Sequence, residues 1–135
     1  MTQFEIVRVA DLTPAEAWAR VTRWESHGRF VPLTTITTTD LGFVARTGVG
    51  RVGFDDPMEI VQWDEPGYCK LVKTGRLVRG WAEIEVTPTE AGSRVVWREE
   101  ISVRGVPRFA DPVVRRSSEA LFSRVLDGVL AQPGR

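Results

Sequence analysis

The stretch Ser93-Arg94-Val95-Val96-Trp97-Arg98-Glu99-Glu100-Ile101-Ser102-Val103 decides the fold. Side chains two residues apart share one face of a β-strand. One face is therefore Val95, Trp97, Glu99, Ile101 and Val103, and the other is Arg94, Val96, Arg98, Glu100 and Ser102. We expect the first face to point inward, which places the Glu99 carboxylate in an apolar row. Because a buried unpaired charge is costly, Glu99 must be ion-paired, protonated or in contact with a cavity. The segment thus indicates a sheet that encloses a space.

The composition sets the class of protein. The chain has 135 residues, 42% hydrophobic and 27% charged, which is typical of one soluble globular domain with a sizeable core. Lys plus Arg and Asp plus Glu number 18 each, so no net field favours nucleic acid or an anionic membrane surface. No apolar run approaches the ~20 residues that span a bilayer, and the N-terminus lacks the layout of a signal peptide. We expect a cytoplasmic protein that neither inserts into membranes nor binds nucleic acid.

The N-terminal third predicts a strand followed by a helix. Gln3–Ala10 is rich in Phe, Ile and Val, as a first strand requires. Thr13, Pro14 and Glu16 then have the spacing of a capping box with proline at the first helical position. The apolar face of this helix is expected to consist of Ala17, Trp18, Val21 and Trp24. The helix should end near His27, with a short turn after it.

From Leu33 to Val103 the signals are strands joined by short turns, which predicts about six antiparallel strands. Three glycines within Phe43–Phe54 indicate one bulged or bent strand, and Asp55-Asp56-Pro57 indicates the turn after it. Beyond Asp111-Pro112 the period is helical to about Leu130, and residues 132–135 should fray. The apolar stripe of this last helix is expected to be Val114, Ser118, Leu121, Phe122, Val125 and Val129.

This order of elements predicts an α+β fold over residues 1–135. A curved antiparallel sheet of about seven strands would wrap around the long C-terminal helix, with one or two short N-terminal helices on the same side. One helix cannot fill a wide concave face. We therefore expect a gap between the sheet and the last helix.

Four segments carry a family resemblance. Thr13-Pro14-Ala15-Glu16-Ala17-Trp18 opens the first helix, Arg46-Thr47-Gly48-Val49-Gly50 lies in the glycine-rich strand, and Gly80-Trp81-Ala82-Glu83 leads to Gly92-Ser93-Arg94-Val95-Val96-Trp97. With the element order, they resemble the START-like superfamily of helix-grip fold, and within it the small bacterial polyketide cyclase/dehydrase and lipid-transport group, often named SRPBCC. The resemblance covers essentially the whole chain and implies a single ligand-binding domain with a deep, largely apolar cavity. The implied ligand-binding residues are Trp97, Glu99, Ile101, Ser118, Leu121, Phe122 and Val125.

Two residues could carry acid–base chemistry if the protein is an enzyme. Glu99 could orient a ligand hydroxyl or move a proton, or it could be a structural carboxylate paired with a basic residue such as Arg46. His27 is the only histidine, so a Ser–His or Cys–His site would have to include it. The ordinary alternative for His27 is a partly exposed side chain near a helix C-terminus.

Other chemistries are not indicated. The single cysteine, Cys69, lies beside Leu71 in a predicted strand, where packing is the usual role. Asp55, Asp56 and Glu59 lack the further donors that a cation site needs, and with one His and one Cys a zinc site is not expected. We predict neither metal nor cofactor.

Three functions fit these observations. The preferred one is binding of a small hydrophobic or amphipathic molecule in an internal cavity closed by the last helix. The first alternative is an enzyme of the polyketide aromatase/cyclase type, with Glu99 or His27 moving protons. The second is an interaction module that uses the sheet surface without a ligand. Pairing of the chain with itself as a homodimer stays open.

Overall fold

The computed structural model describes residues 2–131. Its strands are β1 (Thr2–Ala10), β2 (Thr34–Thr38), β3 (Gly42–Val49), β4 (Val52–Asp64), β5 (Tyr68–Thr74), β6 (Val78–Thr89) and β7 (Gly92–Val103). Its helices are α1 (Pro14–Val21), α2 (Trp24–His27) and α3 (Asp111–Ala131), with short 3-10 turns at Gly28–Phe30 and Arg108–Ala110. The segment 132–135, predicted to fray, lies outside the described residues.

All strand pairs are antiparallel, and the sheet order is β1-β7-β6-β5-β4-β3-β2. Consecutive strands are neighbours from β2 to β7, and β1 closes the sheet against β7. The long α3 lies on the inner face of this curved sheet together with α1 and α2. The predicted α+β helix-grip fold is therefore confirmed.

The alternation of β7 is as the sequence predicted on its inner face. Trp97, Glu99 and Ile101 are all buried there. Val96, which was expected to face outward, is also only 1% exposed. It lies on the outer face of a central strand, between Val7 of β1 and Glu85 of β6, so its neighbours shield it.

The first helix begins as predicted but ends earlier. The Glu16 backbone N–H donates to Thr13 Oγ1 at 3.1 Å, and the Thr13 hydroxyl donates to the Glu16 carboxylate at 3.2 Å. The helix ends at Val21 with Thr22 as its C-cap: the Thr22 backbone N–H makes the last i to i−4 bond to the Trp18 carbonyl, and the Thr22 hydroxyl donates to the same oxygen. Trp24 therefore belongs to the separate α2, and the prediction of a single longer helix was wrong.

The glycine-rich segment is a hairpin rather than one bent strand. Gly48 of β3 lies opposite Gly53 of β4, and Gly50-Arg51 forms the turn between them. A Cβ on Gly48 would lie 2.1 Å from the Val52 carbonyl oxygen, so the two backbones approach closely only because side chains are absent. The predicted turn at residues 55–57 was also wrong, because that segment continues β4.

Two polar contacts fix α3 against the rest of the fold. Arg8 of β1 and Asp127 form an ion pair with Nε to Oδ1 at 2.6 Å. Arg20 of α1 donates to the Leu130 carbonyl at 2.7 Å, which satisfies a free acceptor in the last turn of α3. In the same half of α3, Val125, Leu126 and Val129 are buried in the core. Leu126 was missing from the predicted stripe.

Candidate functional site

A cavity of about 250 Å³ lies between the inner face of the sheet and α3. Most of its wall is apolar, including Trp24 and Phe43, which stack at 4.9 Å between ring centroids. All seven predicted ligand-binding residues line it: Trp97, Glu99, Ile101, Ser118, Leu121, Phe122 and Val125. His27 lines it as well. Their role in binding a ligand stays a prediction.

The cavity occupies one end of the sheet. Its wall includes Thr47, Phe54, Val78 and Val103, which lie where β3 ends, β4 and β6 begin, and β7 ends. We call this the cavity end. At the opposite end, which we call the packed end, the inner face is filled by buried side chains such as those of Trp18, Cys69, Val86 and Val95.

Three charged side chains meet on the cavity wall: Asp56 of β4, Lys73 of β5 and Glu99 of β7. Lys73 Nζ lies 2.9 Å from Asp56 Oδ2 and 3.4 Å from Glu99 Oε2. Trp97 Nε1–H donates to Glu99 Oε1 at 2.8 Å. Lys73 is 3% exposed and Glu99 is 1% exposed, so the group is taken almost wholly out of water. We name these three residues the Lys73 cluster.

The Lys73 cluster has more acceptors than donors. Two carboxyl groups share one ammonium group, and Asp56 Oδ1 accepts no hydrogen bond from the described residues. Glu99 Oε2 has only the Lys73 ion-pair contact and no well-directed donor. Burial raises the pKa of Glu99, opposed in part by Lys73 and by the Trp97 N–H. The wall therefore presents carboxyl oxygens that can still accept hydrogen bonds, or a Glu99 proton that can be donated.

Lys73 keeps its charge in this position. Burial alone would lower the pKa of Lys73, but the nearby Glu99 and Asp56 outweigh it and raise the pKa. The partner named for Glu99 from the sequence was wrong, because Arg46 pairs instead with Asp55 at 3.4 Å. The ion-pair interpretation of Glu99 itself holds, with Lys73 as its partner.

Sequence reasoning missed Lys73 and Asp56. The signal for Lys73 was present, because Cys69, Leu71 and Lys73 alternate on one face of β5 just as Trp97, Glu99 and Ile101 do on β7. Asp56 was hidden by its neighbours. An Asp-Asp-Pro segment is typical of a turn, whereas here each aspartate has a cationic partner on its own face of β4.

His27 is buried rather than partly exposed, which corrects the ordinary interpretation of it. Its Nε2 lies 2.7 Å from the Val21 carbonyl oxygen, so this nitrogen carries the proton and donates. Its ring lies 5.5 Å from the rings of Trp24 and Trp97. Burial lowers the pKa of His27 to about 4, so the ring is neutral at physiological pH and Nδ1 is an acceptor. Among the described residues, His27 and Glu99 share no hydrogen bond.

Two other features bear on the chemistry. Cys69 is fully buried in the core, and burial raises the pKa of its thiol to about 12, so it is not a nucleophile at neutral pH. Within residues 2–131, no three His, Cys, Asp or Glu side chains are placed to hold a metal ion.

In the same range, no helix is long and apolar enough to cross a membrane.

The family model described as polyketide cyclase/dehydrase and lipid transport matches residues 1–132. The chain belongs to this family. No curated protein was found to match the sequence.

Solved structures share the fold at low sequence identity. A conserved protein from Geobacillus kaustophilus has a TM-score of 0.76 at 15% identity, covering 95% of this chain and 91% of its own. The di-domain ARO/CYC protein StfQ from the steffimycin biosynthetic pathway has a TM-score of 0.73 at 13% identity, covering 96% of this chain and 49% of its own. Ara h 8.0201 has a TM-score of 0.66 at 12% identity, covering 96% and 98%. At these identities the likeness supports the helix-grip fold alone.

Replacing Lys73 by Met should destabilise the protein strongly. The variant keeps the length of the side chain but leaves two carboxyl groups without their cation, which costs about 3–5 kcal/mol for a buried pair. Chemical denaturation at neutral pH measures this loss. Lys70→Met on the same strand is the matched control, because Lys70 lies over the Trp81 ring at 5.3 Å and forms no ion pair with the described residues. Equal losses in the two variants would show that the Lys73 cluster is not a buried ion-paired group.

The stability of the protein should depend on His27 at acid pH. The pKa of His27 is lowered from 6.5 to about 4 on folding, so between these values the unfolded chain binds a proton that the folded one does not. The contribution of His27 to the free energy of unfolding is fully present above pH 6.5. It decreases as the pH falls towards 4, by about 3 kcal/mol in total. Glu99 acts in the opposite sense, because its raised pKa favours the folded state on acidification.

The comparison with His27→Gln isolates the histidine contribution. The amide can still donate to the Val21 carbonyl but does not titrate. Denaturation curves recorded from neutral pH to pH 4 should show the difference between the two proteins shrinking as the wild type loses stability. A constant difference over that range would contradict the assignment of His27 as buried and neutral.

Proposed function

We propose that this protein binds a small amphipathic molecule with a flat aromatic body in the cavity between the sheet and α3. The observation that carries the proposal is an apolar wall interrupted by the acceptor-rich Lys73 cluster. Apolar walls supply affinity and a few polar groups fix orientation in small-molecule sites. Membership of a family described by polyketide cyclisation and lipid transport supports a ligand of this kind.

The size of the cavity favours a compact ligand. Its volume of about 250 Å³ is slightly below the ~300–1,000 Å³ of most ligand pockets. A molecule of a few fused rings fits this space better than a long acyl chain. The stacked Trp24 and Phe43 rings, and Trp97 with Phe122 at 5.4 Å, offer faces on which such rings can stack.

The polarity of the cavity favours a ligand that donates hydrogen bonds. A hydroxyl or amino group can reach Asp56 Oδ1 or Glu99 Oε2, neither of which receives a directed donor from residues 2–131. Leaving such buried acceptors unpaired costs about 1–3 kcal/mol each, so a donor-bearing ligand gains from pairing them. An anionic ligand would be repelled by the two carboxyl groups and would have only Lys73 as a counter-charge.

Binding of aminoanthracene, followed by its fluorescence, tests this proposal. We expect it to bind, and an anthracene carboxylate of the same ring size to bind at least about tenfold more weakly, which corresponds to roughly 1.4 kcal/mol. Ala45→Trp should abolish binding by filling the cavity, because Ala45 lines it. Ala91→Trp, in an exposed turn, is the control and should bind normally. Failure of both dyes to bind the wild type would contradict the proposal.

A polyketide aromatase/cyclase activity in the same cavity is the second candidate. The contact of a buried carboxyl group with an ammonium group, Glu99 Oε2 to Lys73 Nζ at 3.4 Å, favours it, because a proton shared between them could be passed to or from an enolising carbon. His27, with Nδ1 unprotonated, could act as a base. We propose no metal or cofactor for either function.

The pair of variants Glu99→Gln and His27→Ala separates carrier from enzyme. Binding of aminoanthracene and turnover of a linear poly-β-ketone are measured on each. Retained binding with turnover lost by at least about 100-fold, the usual contribution of acid–base catalysis, supports the enzyme. Turnover absent from the wild type, with binding intact, supports the carrier. A native mass spectrum with a co-purifying small molecule would exclude the ligand-free interaction module.

The cytoplasmic location and the homodimer stay predictions.

A further inference from the structure

The connections at the two ends of the sheet carry opposite charge. At the cavity end they are residues 31–33, 50–51, 75–77 and 104–110. Their charged residues are Arg51, Arg76, Arg104 and Arg108, with no acid among them. At the packed end the connections are residues 11–13, 39–41, 65–67 and 90–91. Their charged residues are Asp11, Asp40, Glu65 and Glu90, with no base among them.

All eight of these side chains are exposed. Within residues 2–131, none of the four arginines forms an ion pair, although Arg108 lines a small pocket together with Asp111. The equal numbers of acids and bases therefore conceal a separation of charge along the molecule. A net charge of zero does not exclude a local field at the cavity end, because charge placement rather than charge sum determines that field.

The cavity end also exposes large apolar side chains. Phe109 is 86% exposed directly beside Arg108, and Val52 is 80% exposed directly after Arg51. Leu33 and Val113 are each 66% exposed. Leu33 and Phe109 lie in two different connections, Val52 begins β4 and Val113 lies in the first turn of α3, so each side chain can enter a soft surface separately.

The connections at this end lie beside the cavity, and Val31 lines it. The Arg104 N–H donates to the Leu77 carbonyl at 2.8 Å, which ties two connections to each other. The Gly48 N–H of β3 donates to the Leu33 carbonyl at 2.9 Å, which ties a third connection to the sheet. Cavity-lining residues of β4 and β6, such as Phe54 and Val78, lie within three residues of these connections along the chain. The arginines and apolar side chains thus form a rim around the cavity end.

We propose that this rim docks the protein on the surface of an anionic phospholipid membrane. Arg51, Arg76, Arg104 and Arg108 lie against lipid phosphates, and the side chains of Val52 and Phe109 enter the headgroup region. Cationic groups together with exposed apolar side chains are the combination that anionic bilayers retain at their surface. Nucleic acid would pair with the arginines but would leave Val52 and Phe109 in water.

Docking in this orientation would connect the cavity with the membrane. The cavity end would face the lipid, so an apolar ligand could pass between bilayer and cavity without crossing water. The attachment is peripheral and needs no membrane-spanning helix. It does not depend on the identity of the ligand, so it can fail or succeed independently of the proposed binding function.

Co-sedimentation with vesicles tests the proposal on the full chain. We expect binding to vesicles of equal parts phosphatidylcholine and phosphatidylglycerol, much weaker binding to phosphatidylcholine alone, and a decrease as salt is added. Arg76→Gln/Arg108→Gln should reduce the affinity by about fivefold for each arginine removed. Arg94→Gln/Arg124→Gln is the matched control, because it removes the same charge from exposed positions outside the rim.

The apolar contribution has its own control. Phe109→Ser should weaken vesicle binding, whereas Leu41→Ser, at a side chain 65% exposed at the packed end, should not. Thermal denaturation of each variant verifies that it is folded. No binding to anionic vesicles, equal binding to both vesicle types, or equal loss in rim and control variants would each overturn the proposal. So would a salt-sensitive complex with an acidic protein, or with the acidic packed end of a second copy, in the absence of vesicle binding.

Discussion

The buried contact between Lys73, Glu99 and Asp56 is the constraint on which the rest of the site depends. It requires three strands, β4, β5 and β7, to present charged side chains to the same inner face of the sheet. An apolar residue of similar volume at each position would be equally or more stable, because desolvation of buried charges offsets most of their attraction. Stability alone therefore does not explain the Lys73 cluster. Its position on a cavity wall, with carboxyl oxygens lacking directed donors, favours contact with a ligand instead.

The hollow beside the Lys73 cluster arises from the side chains that α3 presents to the sheet. The C-terminal half of the helix buries Val125, Leu126 and Val129 and fills the space against the core. The N-terminal half presents the short Ser118 to the cavity. Leu121, Phe122 and Val125 of the same helix also lie on the cavity wall, so the helix borders the hollow over residues 118–125 without filling it. The same helix thus supplies both the core and the cavity.

The sequence predicted the fold well because alternation and capping are local signals. The inward face of β7, the start of α1 and the extent of α3 could all be predicted from residues close together in the chain. The candidate site was predicted in part: the seven residues implied by the family resemblance line the cavity, as does His27. The alternation that marks Lys73 in β5 was present in the sequence but not used, whereas Asp56 was missed because its partner depends on the pairing of β4 with β5, where Met58 lies opposite Lys73. Pairing across strands is not a local property.

The hairpin at Gly48 and Gly53 shows the same limit from another side. Glycines in a strand indicate either a bend or a close approach of two backbones, and only the register distinguishes them.

The distribution of charge, like the pairing of strands, could not be predicted from composition. A net charge of zero gave no indication of the arginine rim, because the antiparallel order of strands, rather than composition, places Arg51, Arg76, Arg104 and Arg108 at one end. Since a connection between antiparallel strands must lie at an end of the sheet, the topology places these four arginines at the same end as the cavity.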